Sequence, residues 1–333
     1  MPDTPVRIGV LGAASIARRR MLPAFAAHPA TEVVAIASRT PDRAAELTAR
    51  YGGTPFSRYE DVLRPDNGVD AVYVPLPIAL HAHWTERALL SDKHVLAEKP
   101  LTDDPAKAVE LVRLARDRGL ALMENVLFLQ HSQHAAAARL LGEGVIGELR
   151  AFSAAFAIPP TPETDIRHRP ELGGGALLDV GYYPVRAAMH LVGPELEVVG
   201  AMTRTCPERL VDTAGGALLR RVLDGVPVQL TWGMEHFYRS CYEYWGSRGR
   251  IFVEPAFTPG PDHVPRLRIV ADTGAREIVL EPDDQVAATV EVFVQAVRAD
   301  GVRADVAEAT VLQARLLDEI RFRAGDVTAD GVR

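Results

Sequence analysis

The first third of the chain alternates short apolar runs with segments whose apolar residues recur at helical spacing. The runs are rich in β-branched residues and have the length of strands buried on both faces. The apolar runs cover residues 6–11, 32–37, 71–74, 95–97 and 121–126, and the helical segments lie near 15–28, 41–51, 79–91, 104–118 and 132–142. This alternation predicts an α/β fold with a parallel, doubly wound Rossmann sheet.

Beyond Phe128 the apolar pattern changes to a period of two. Apolar residues alternate with small or polar ones along 152–158 and 226–234, and residues 223–225 and 272–274 have the composition of hairpin turns. Such alternation predicts an α+β region with a large, mostly antiparallel open sheet that buries one face. Helical spacing returns at 176–191, 285–299 and 305–323.

These two patterns predict two domains, because 333 residues exceed the usual size of a single hydrophobic core. We expect a dinucleotide-binding Rossmann domain over residues 1–127. Residues 128–333 should then form an α+β domain for substrate binding and oligomerisation. The cleft between two such domains is the expected active site.

Composition narrows the classes of partner. The net charge of −7 argues against nucleic acid or an anionic membrane as a ligand. No apolar run has the length of a membrane span, and residues 1–5 lack the apolar segment of a signal peptide. Cys206 and Cys241 match no metal-ligand spacing, so we expect reduced thiols in a cytoplasmic protein.

The strand predicted at 6–11 leads into a degenerate G-x-A-x-x-A form of the dinucleotide fingerprint. Its residues are Gly12, Ala13, Ala14, Ser15, Ile16 and Ala17. Gly12 permits the tight turn, and the helix that follows aims its first N–H groups at a pyrophosphate. A plain strand–turn–helix with small residues has the same pattern, so the fingerprint indicates fold more strongly than function.

The end of the second strand predicts the choice of cofactor. The acidic residue expected about 20 positions after the fingerprint is absent, and the chain reads Ala37-Ser38-Arg39 instead. A carboxylate there would repel a 2′-phosphate, whereas a hydroxyl and a guanidinium attract it. We therefore predict NADPH rather than NADH; the alternative is that Arg39 is only a solvated residue at a helix start.

A candidate catalytic lysine follows the strand predicted at 95–97, in the sequence Glu98-Lys99-Pro100. Ligands of open α/β sheets bind beyond the carboxyl ends of the strands. The chain has only two other lysines, Lys93 and Lys107, so Lys99 stands out from the many arginines. The alternative interpretation is a surface ion pair at a strand end.

A second candidate cluster lies in the C-terminal half. Gly173-Gly174-Gly175 precedes a predicted helix in which Asp179 and Tyr183 are four residues apart and share a face. Three glycines let a helix terminus approach a ligand or another backbone closely. Taken alone, the segment is also compatible with a flexible loop and an ordinary amphipathic helix.

Together these motifs resemble the Gfo/Idh/MocA oxidoreductase family, in the right order and over nearly the whole chain. The chain is most similar to the NADPH-dependent sugar 3-ketoreductases of deoxysugar and antibiotic biosynthesis. Those enzymes reduce a 3,4-diketo-2,6-dideoxyhexose attached to dTDP. The closer resemblance lies in residues 37–39, 73–77, 80–82, 123–125, 165–167 and 233–236. Ala14 and Ala17 depart from the glycines of the family fingerprint.

The resemblance implies a cofactor site for NADPH or NADP⁺. The residues implied around the pyrophosphate are Gly12, Ala13, Ala14, Ser15, Ile16, Ala17 and Arg19. Ser38 and Arg39 would bind the 2′-phosphate. The remaining cofactor contacts implied are Tyr59, Leu76, His81 and Glu98.

The resemblance also implies the groups that bind and reduce the substrate. Lys99, preceding a cis proline, would contact the reacting oxygen, and Tyr183 would donate a proton or a hydrogen bond. Which of the two is the acid stays open. Arg20, Arg167 and Asp179 would hold the nucleotide sugar, and no metal is implied.

Several alternatives remain at this point. The same scaffold supports a dehydrogenase of a free sugar or cyclitol, an NAD-dependent glycosidase, or a redox-silent NADPH-binding regulator. His131 and His134 suggest a structural pair in preference to a metal site. The aromatic residues of the second sheet indicate packing or a subunit interface. An open sheet carrying Trp232 and Tyr244 would otherwise expose a large apolar face, which predicts a homo-oligomer, a dimer or tetramer, through that sheet.

Overall fold

The computed structural model describes residues 4–272, 274–299 and 304–328. Residues 1–3 of the predicted polar start and Thr273 of the predicted hairpin turn lie outside these ranges. The chain forms two compact units. The first comprises Met1–Val126 and Val286–Val311, and the second comprises Leu127–Gln285 and Leu312–Arg333.

The first unit contains a six-stranded sheet in the order β3-β2-β1-β4-β5-β6. All neighbouring strands in this sheet are parallel, as the sequence predicts for a doubly wound fold. The strands are β1 (Val6–Leu11), β2 (Thr31–Ala37), β3 (Thr54–Phe56), β4 (Ala71–Val74), β5 (His94–Glu98) and β6 (Leu122–Asn125). The sheet order reverses between β1 and β4, which places the ends of these strands at the usual ligand-binding position.

The helices of this unit pack on the parallel sheet. They are α1 (Leu22–Ala27), α2 (Pro41–Tyr51), α3 (Tyr59–Val62), α4 (Ile78–Leu90) and α5 (Pro105–Asp117). A π-helical segment, Ala17–Met21, leads directly into α1. Strand β3 was not predicted, because two glycines and a proline in 52–55 have the composition of a loop.

The second unit contains a nine-stranded sheet in the order β14-β13-β12-β11-β7-β10-β9-β8-β15. Two pairs are parallel, β7 with β10 and β8 with β15, and the other pairs are antiparallel. The strands are β7 (Leu149–Ala157), β8 (Leu196–Cys206), β9 (Val211–Arg221), β10 (Pro227–Gly233), β11 (Arg239–Gly246), β12 (Gly249–Val253), β13 (Arg266–Ala271), β14 (Gly274–Val279) and β15 (Ala324–Thr328). The prediction of a large, mostly antiparallel sheet is confirmed.

The second unit contains helix α6 (Ser132–Gly142), which precedes β7, and helix α7 (Tyr182–Leu191), which lies between β7 and β8 in the chain. The helix predicted at 176–191 is present, but its first part, Leu177–Gly181, is π-helical. A π-helix bonds each residue to the fifth one along, so four-residue spacing no longer guarantees a shared face for Asp179 and Tyr183.

The last two helices are α8 (Gln285–Arg298) and α9 (Ala304–Arg323). The predicted division assigned all of both to the second domain, whereas residues 286–311 group with the first unit. Ala307 belongs to the apolar core of that unit, and His28 Nε2 lies 2.9 Å from Glu291 Oε2. The function of each predicted domain stays a prediction.

The aromatic residues Trp232 and Tyr244 of the second sheet are buried within the unit. Trp232 packs its ring against Gly181 and Gly215, and a Cβ on Gly181 would lie 3.0 Å from that ring. Tyr244 donates its hydroxyl to the carbonyl of Leu191 at 3.1 Å. Of the two alternatives that the sequence left open, packing inside the fold therefore applies to Trp232 and Tyr244: both project to the face that the helix after Ala176 covers.

Candidate functional site

The turn after β1 has the geometry of a dinucleotide-binding turn. Gly12 has φ +130°, and its amide donates to the carbonyl of Ala37 at 2.9 Å. A Cβ on Gly12 would lie 3.1 Å from Leu76 Cδ2 and 3.3 Å from the Pro75 carbonyl oxygen. Glycine is required both by this φ and by the close approach of the β4 turn. The cradle fits the backbone approach that a pyrophosphate needs.

Helical structure begins at Ser15, immediately beyond this turn. Its exposed side chains include Arg18 and Arg19, and Arg20 is half-buried. Arg19 Nε donates to Ser15 Oγ at 2.7 Å, which holds one guanidinium over the start of the helix. The start of this helical segment therefore carries positive side chains, and a helix N-terminus beside basic groups favours phosphate groups.

The end of β2 carries the predicted 2′-phosphate pair. Ser38 is buried, and its Oγ accepts from the amide of Thr40 at 3.1 Å. Arg39 is exposed and lies beside the hydroxyl of Tyr59. Burial raises the pKa of Tyr59, and the Arg39 guanidinium acts in the opposite direction. The ring of Tyr59 meets Trp84 edge-on at 5.0 Å between centroids, so the hydroxyl beside Arg39 is held by packing.

The carboxylate before the candidate lysine is fixed by two neighbouring strands. Tyr73 Oη donates to Glu98 Oε1 at 2.6 Å, and Asn125 Nδ2 donates to the same oxygen at 2.6 Å. Burial and the Glu98 carboxylate raise the pKa of Tyr73 well above its usual value, so the phenol stays protonated as a donor. Sequence reasoning assigned no role to Tyr73 or Asn125, although Tyr73 lies one residue before the end of β4 and Asn125 ends β6, at the edge where open α/β sheets bind ligands.

His81 joins the segment after Lys99 to the turn after β4. Its Nδ1 lies 2.7 Å from the carbonyl oxygen of Pro100, and its Nε2 lies 2.6 Å from that of Leu76. The ring is 1% exposed. Burial lowers the pKa of His81, while the two carbonyls and Glu98 act in the opposite direction. His81 thus contacts the carbonyl group of the residue that follows Lys99, and the Lys99-Pro100 bond is cis as expected.

The three lysines of the chain have different surroundings. Lys93 is buried and donates to the Val69 carbonyl at 2.7 Å. Lys107 pairs with Glu86 at 2.9 Å and Glu110 at 3.1 Å on the helical surface. Lys99 is half-buried and directly follows β5. The ammonium groups of Lys93 and Lys107 therefore contact groups of the fold itself, whereas Lys99 lies at the carboxyl edge of the parallel sheet, where open α/β sheets bind ligands.

The glycine triplet of the second unit approaches a carboxylate. Gly175 has φ +124°, and a Cβ there would clash with Oδ1 of Asp212. The amide of Leu177 donates to Asp212 Oδ2 at 2.7 Å. Burial raises the pKa of Asp212, and the helical N–H groups oppose that shift. The Asp212 carboxylate thus lies at the start of the helix that carries Asp179 and Tyr183. Sequence reasoning missed Asp212 because it is 35 positions from Leu177 in the chain.

Arg167 and Asp179 form one ion-paired cluster with Asp165. Arg167 Nε donates to Asp179 Oδ2, and Arg167 Nη1 lies 3.2 Å from Asp165 Oδ1. The carboxylate of Asp179, and then that of Asp165, raises the pKa of Arg167. Because two carboxylates already neutralise this guanidinium, the cluster orients Asp179 better than it attracts an anion.

Tyr183 lies in an aromatic cluster of the second unit. Its ring centroid lies 4.8 Å from Phe156, 5.7 Å from Phe257 and 6.0 Å from Phe128. All three phenylalanines are buried. Tyr183 itself is half-buried, so packing fixes its ring orientation.

His131 and His134 serve the packing of the second unit. His131 caps α6 by accepting from the Gln133 amide at 3.3 Å, and His134 Nδ1 lies 3.1 Å from the Tyr242 hydroxyl. Burial, with smaller effects from His131 and His190, lowers the pKa of His134 to about 3. Among the described residues, His, Cys, Asp and Glu side chains nowhere assemble into a group of three that could hold a metal ion. Within those same ranges, every helix is too short or too polar for a membrane span.

Comparison with known proteins bears on this site. The Gfo/Idh/MocA model described as an oxidoreductase family with an NAD-binding Rossmann fold matches residues 6–126, and the GFO/IDH/MocA C-terminal domain model matches residues 134–252. The chain is 50% identical over 323 residues to dTDP-3,4-didehydro-2,6-dideoxy-alpha-D-glucose 3-reductase of Actinomadura kijaniata, with 97% of each chain covered. It is 32% identical over 318 residues to D-xylose 1-dehydrogenase (NADP(+)) 2 of Haloferax volcanii, covering 94% of this chain and 95% of the relative.

A solved structure is similar to the same extent. A 3-ketoreductase from Actinomadura kijaniata in complex with NADP and TDP-benzene matches with a TM-score of 0.95 and 50% identity, over 98% of this chain and 99% of that one. The fold and the strand-end site define a Rossmann-type oxidoreductase. The two family models together cover well over half of the sequence, and the chain belongs to the Gfo/Idh/MocA oxidoreductase family.

Proposed function

We propose that the protein catalyses NADPH-dependent reduction of the C3 keto group of a dTDP-linked 3,4-diketo-2,6-dideoxyhexose. The observation that carries this proposal is that the sequence is 50% identical, over 97% of both chains, to a reductase named for that substrate class. The site supports it with a lysine at the end of β5 beside a carboxylate held by two hydrogen bonds.

In this proposal the cofactor site is built on the first unit. The turn and first helical residues, Gly12, Ala13, Ala14, Ser15, Ile16, Ala17 and Arg19, surround the pyrophosphate. Ser38 and Arg39 bind the 2′-phosphate, with Tyr59 bracing Arg39. Leu76, His81 and Glu98 complete the nicotinamide side. The support is the Gly12 cradle, the absence of a carboxylate at 37–39, and NADP in the similar 3-ketoreductase structure.

The proposed chemistry asks two things of the protein. When bound, NADPH supplies a hydride to the carbonyl carbon, and the carbonyl oxygen must then take up a proton to form the alcohol. The Lys99 ammonium stabilises the charge that develops on that oxygen, and either Lys99 or Tyr183 delivers the proton. Packing against Phe156 and Phe257 and the tie through His81 keep the two groups in defined orientations.

Substrate binding is assigned to Arg20, Arg167 and Asp179. Arg20 is half-buried on the helix after the glycine turn, where it suits a diphosphate. Arg167 is already paired with Asp165 and Asp179, so its contribution is to aim the Asp179 carboxylate at sugar hydroxyls.

A dehydrogenase of a free sugar is the second candidate, because a D-xylose 1-dehydrogenase is 32% identical over most of both chains. The discriminating experiment incubates the protein with a dTDP-linked 3-keto sugar and NADPH deuterated at the transferable position. We expect deuterium at C3 of the product, with competition by dTDP. Oxidation of millimolar D-xylose by NADP⁺, with no transfer to the keto sugar, would instead establish the second candidate.

The same assay tests the role of Lys99. Replacing Lys99 with methionine keeps the length of the side chain and removes the charge, so deuterium transfer should fall by about 10²–10⁴-fold. Lys107→Met is the matched control, because that ammonium only pairs with surface glutamates. Transfer at the normal rate in Lys99→Met would remove Lys99 from the chemistry.

The proposal includes a homo-oligomer in the cytoplasm. Met202, Leu218 and Trp245 are exposed on the sheet face opposite Trp232, which gives this face apolar contacts to bury. Both cysteines are free thiols, as suits a reducing compartment. Light scattering should give a dimer or tetramer, and Trp245→Glu should reduce that mass; a monomer at micromolar concentration contradicts the oligomer.

A further inference from the structure

Three neighbouring strands of the first unit end in a small polar cluster. Tyr73 belongs to β4, Glu98 is the last residue of β5, and Asn125 is the last residue of β6. Glu98 and Asn125 are paired in the register of the parallel sheet. The cluster therefore lies at the carboxyl edge, where open α/β sheets bind ligands.

The hydrogen bonds of the cluster fix which way the Asn125 amide points. Glu98 Oε1 accepts at 2.6 Å from Asn125, and a carboxylate oxygen cannot donate, so the atom facing it is Nδ2. The other end of the amide is then the acceptor Oδ1. This oxygen is buried and has no hydrogen-bond partner within the described ranges, and the residue is only 2% exposed.

An orphaned acceptor in this position is costly. A buried polar atom without a partner destabilises the fold, and native structures keep few of them. The Tyr73 hydroxyl has a single proton and donates it in the hydrogen bond to Glu98, so Tyr73 cannot also donate to Asn125 Oδ1. A ligand that binds at this edge of the sheet and carries a hydrogen-bond donor would supply the missing partner.

We propose that Asn125 is a cofactor-positioning residue whose Oδ1 accepts a hydrogen bond from the primary carboxamide of the nicotinamide ring. The inference rests on the NADPH binding proposed above. The carboxamide NH₂ is the hydrogen-bond donor that a nicotinamide carries, and it lies next to the carbon that transfers hydride. A bond from Asn125 would fix the rotation of the ring beside Lys99, while the Asn125 amide NH₂ continues to hold Glu98.

The experiment compares two cofactors that differ in this donor alone. The 3-acetylpyridine analogue of NADPH replaces the carboxamide NH₂ with a methyl group and keeps the carbonyl. Dissociation constants for NADPH and for the analogue are measured by titration calorimetry, without any sugar substrate. The proteins are the wild type, Asn125→Ala, Asn125→Ser, Tyr73→Phe and Thr85→Val.

The expected result is a change in cofactor preference that follows Asn125. The wild type should bind NADPH about tenfold more tightly than the analogue, the factor of one hydrogen bond to a buried partner. In Asn125→Ala the two affinities should agree within about twofold, because the acceptor is gone. Tyr73→Phe removes the other donor to Glu98 and should keep the wild-type preference. Thr85→Val, which removes a different orphaned buried oxygen of the same unit, should keep it as well.

Two outcomes would overturn the inference. One is a wild type without preference between the cofactors; the other is an unchanged preference in Asn125→Ala and Asn125→Ser, which would assign the oxygen to a ribose hydroxyl or a bound water. The wild-type comparison needs no variant, so poor folding of a substituted protein does not remove the test. Failure to bind either cofactor would refute the proposed NADPH dependence itself, a result distinct from binding without preference.

Discussion

Asp212 provides a direct test of how the second unit positions its functional helix. Its carboxylate accepts from the amide of Leu177 at 2.7 Å, at the start of the helical segment that leads to Asp179 and Tyr183. Replacing Asp212 with alanine removes this acceptor and leaves a helical N–H without its partner. The substitution also opens space beside Gly175, whose approach has no room for a side chain.

The size of the effect follows from the type of hydrogen bond. A hydrogen bond to a charged group contributes about 1.5–3 kcal/mol to the free energy of unfolding. The same hydrogen bond caps the start of the helix, so no separate capping contribution is added. Burial raises the pKa of Asp212, so part of this gain is offset by the cost of burying the charge. We expect a net loss of about 1–3 kcal/mol, equivalent to about 3–9 °C in the Tm of a unit of this size.

Two measurements separate structure from function in Asp212→Ala. Thermal unfolding followed by circular dichroism gives the Tm, and steady-state kinetics with the keto sugar gives kcat/KM. Displacement of Tyr183 by a fraction of an ångström should lower kcat/KM by about ten- to hundredfold, while NADPH affinity stays unchanged because its residues belong to the other unit. Asp212→Asn keeps an acceptor for Leu177 and should restore most of both quantities.

The control is Asp224→Ala, which removes an exposed aspartate paired with Arg221 in the same unit. That surface pair should change the Tm by no more than about 2 °C. The reasoning would be refuted if Asp212→Ala had the Tm and kcat/KM of the wild type. It would also be refuted if Asp212→Asn were as impaired as the alanine variant.

The remaining predictions concern the cofactor and pH. Arg39→Ala should reduce the preference for NADPH over NADH by about ten- to hundredfold, since it removes a charge-assisted contact to the 2′-phosphate. The control is Arg64→Ala, which removes an exposed guanidinium paired with Asp66. If Arg39→Ala kept the same ratio of the two dissociation constants as this control, Arg39 would have no role at the 2′-phosphate. Because the folded-state pKa of His134 is lowered from 6.5 to about 3, the protein should lose stability as the pH falls from 6.5 towards 3, by about 1.4 kcal/mol per pH unit from this residue. His134→Gln should flatten that dependence in urea unfolding at a series of pH values, and an identical slope would contradict the assignment.

Much of the first unit follows from local sequence. Strands buried on both faces need continuous apolar runs, and all five predicted strands are present at the predicted places. The sequence predicts a tight turn at Gly12, and the φ of +130° at this residue confirms the turn. The position of Lys99 at a strand end follows from the same pattern, because strand direction and order decide which ends face a ligand.

Other features depend on residues far apart in the chain. Glu98 meets Tyr73 and Asn125 from 25 and 27 positions away, and Asp212 reaches Leu177 across 35 positions. No local pattern carries these pairings, since a hydrogen bond between strand ends or across a sheet is set by register. The orphaned oxygen of Asn125 is visible only once every neighbouring donor has been located.

The amino-acid sequence by itself determined the two kinds of sheet, the dinucleotide-binding turn and the candidate lysine, because each depends on hydrophobic period or on the conformational range of single residues. Tertiary structure alone decided which face of the second sheet is covered. Period-two alternation distinguishes two faces but does not say which one a helix will bury, and so the sequence left open whether Trp232 and Tyr244 pack inside the fold or at a subunit interface. The tertiary structure also decided that residues 286–311 group with the first unit. An apolar stripe predicts that a helix packs against something, but it does not identify the surface against which the helix packs.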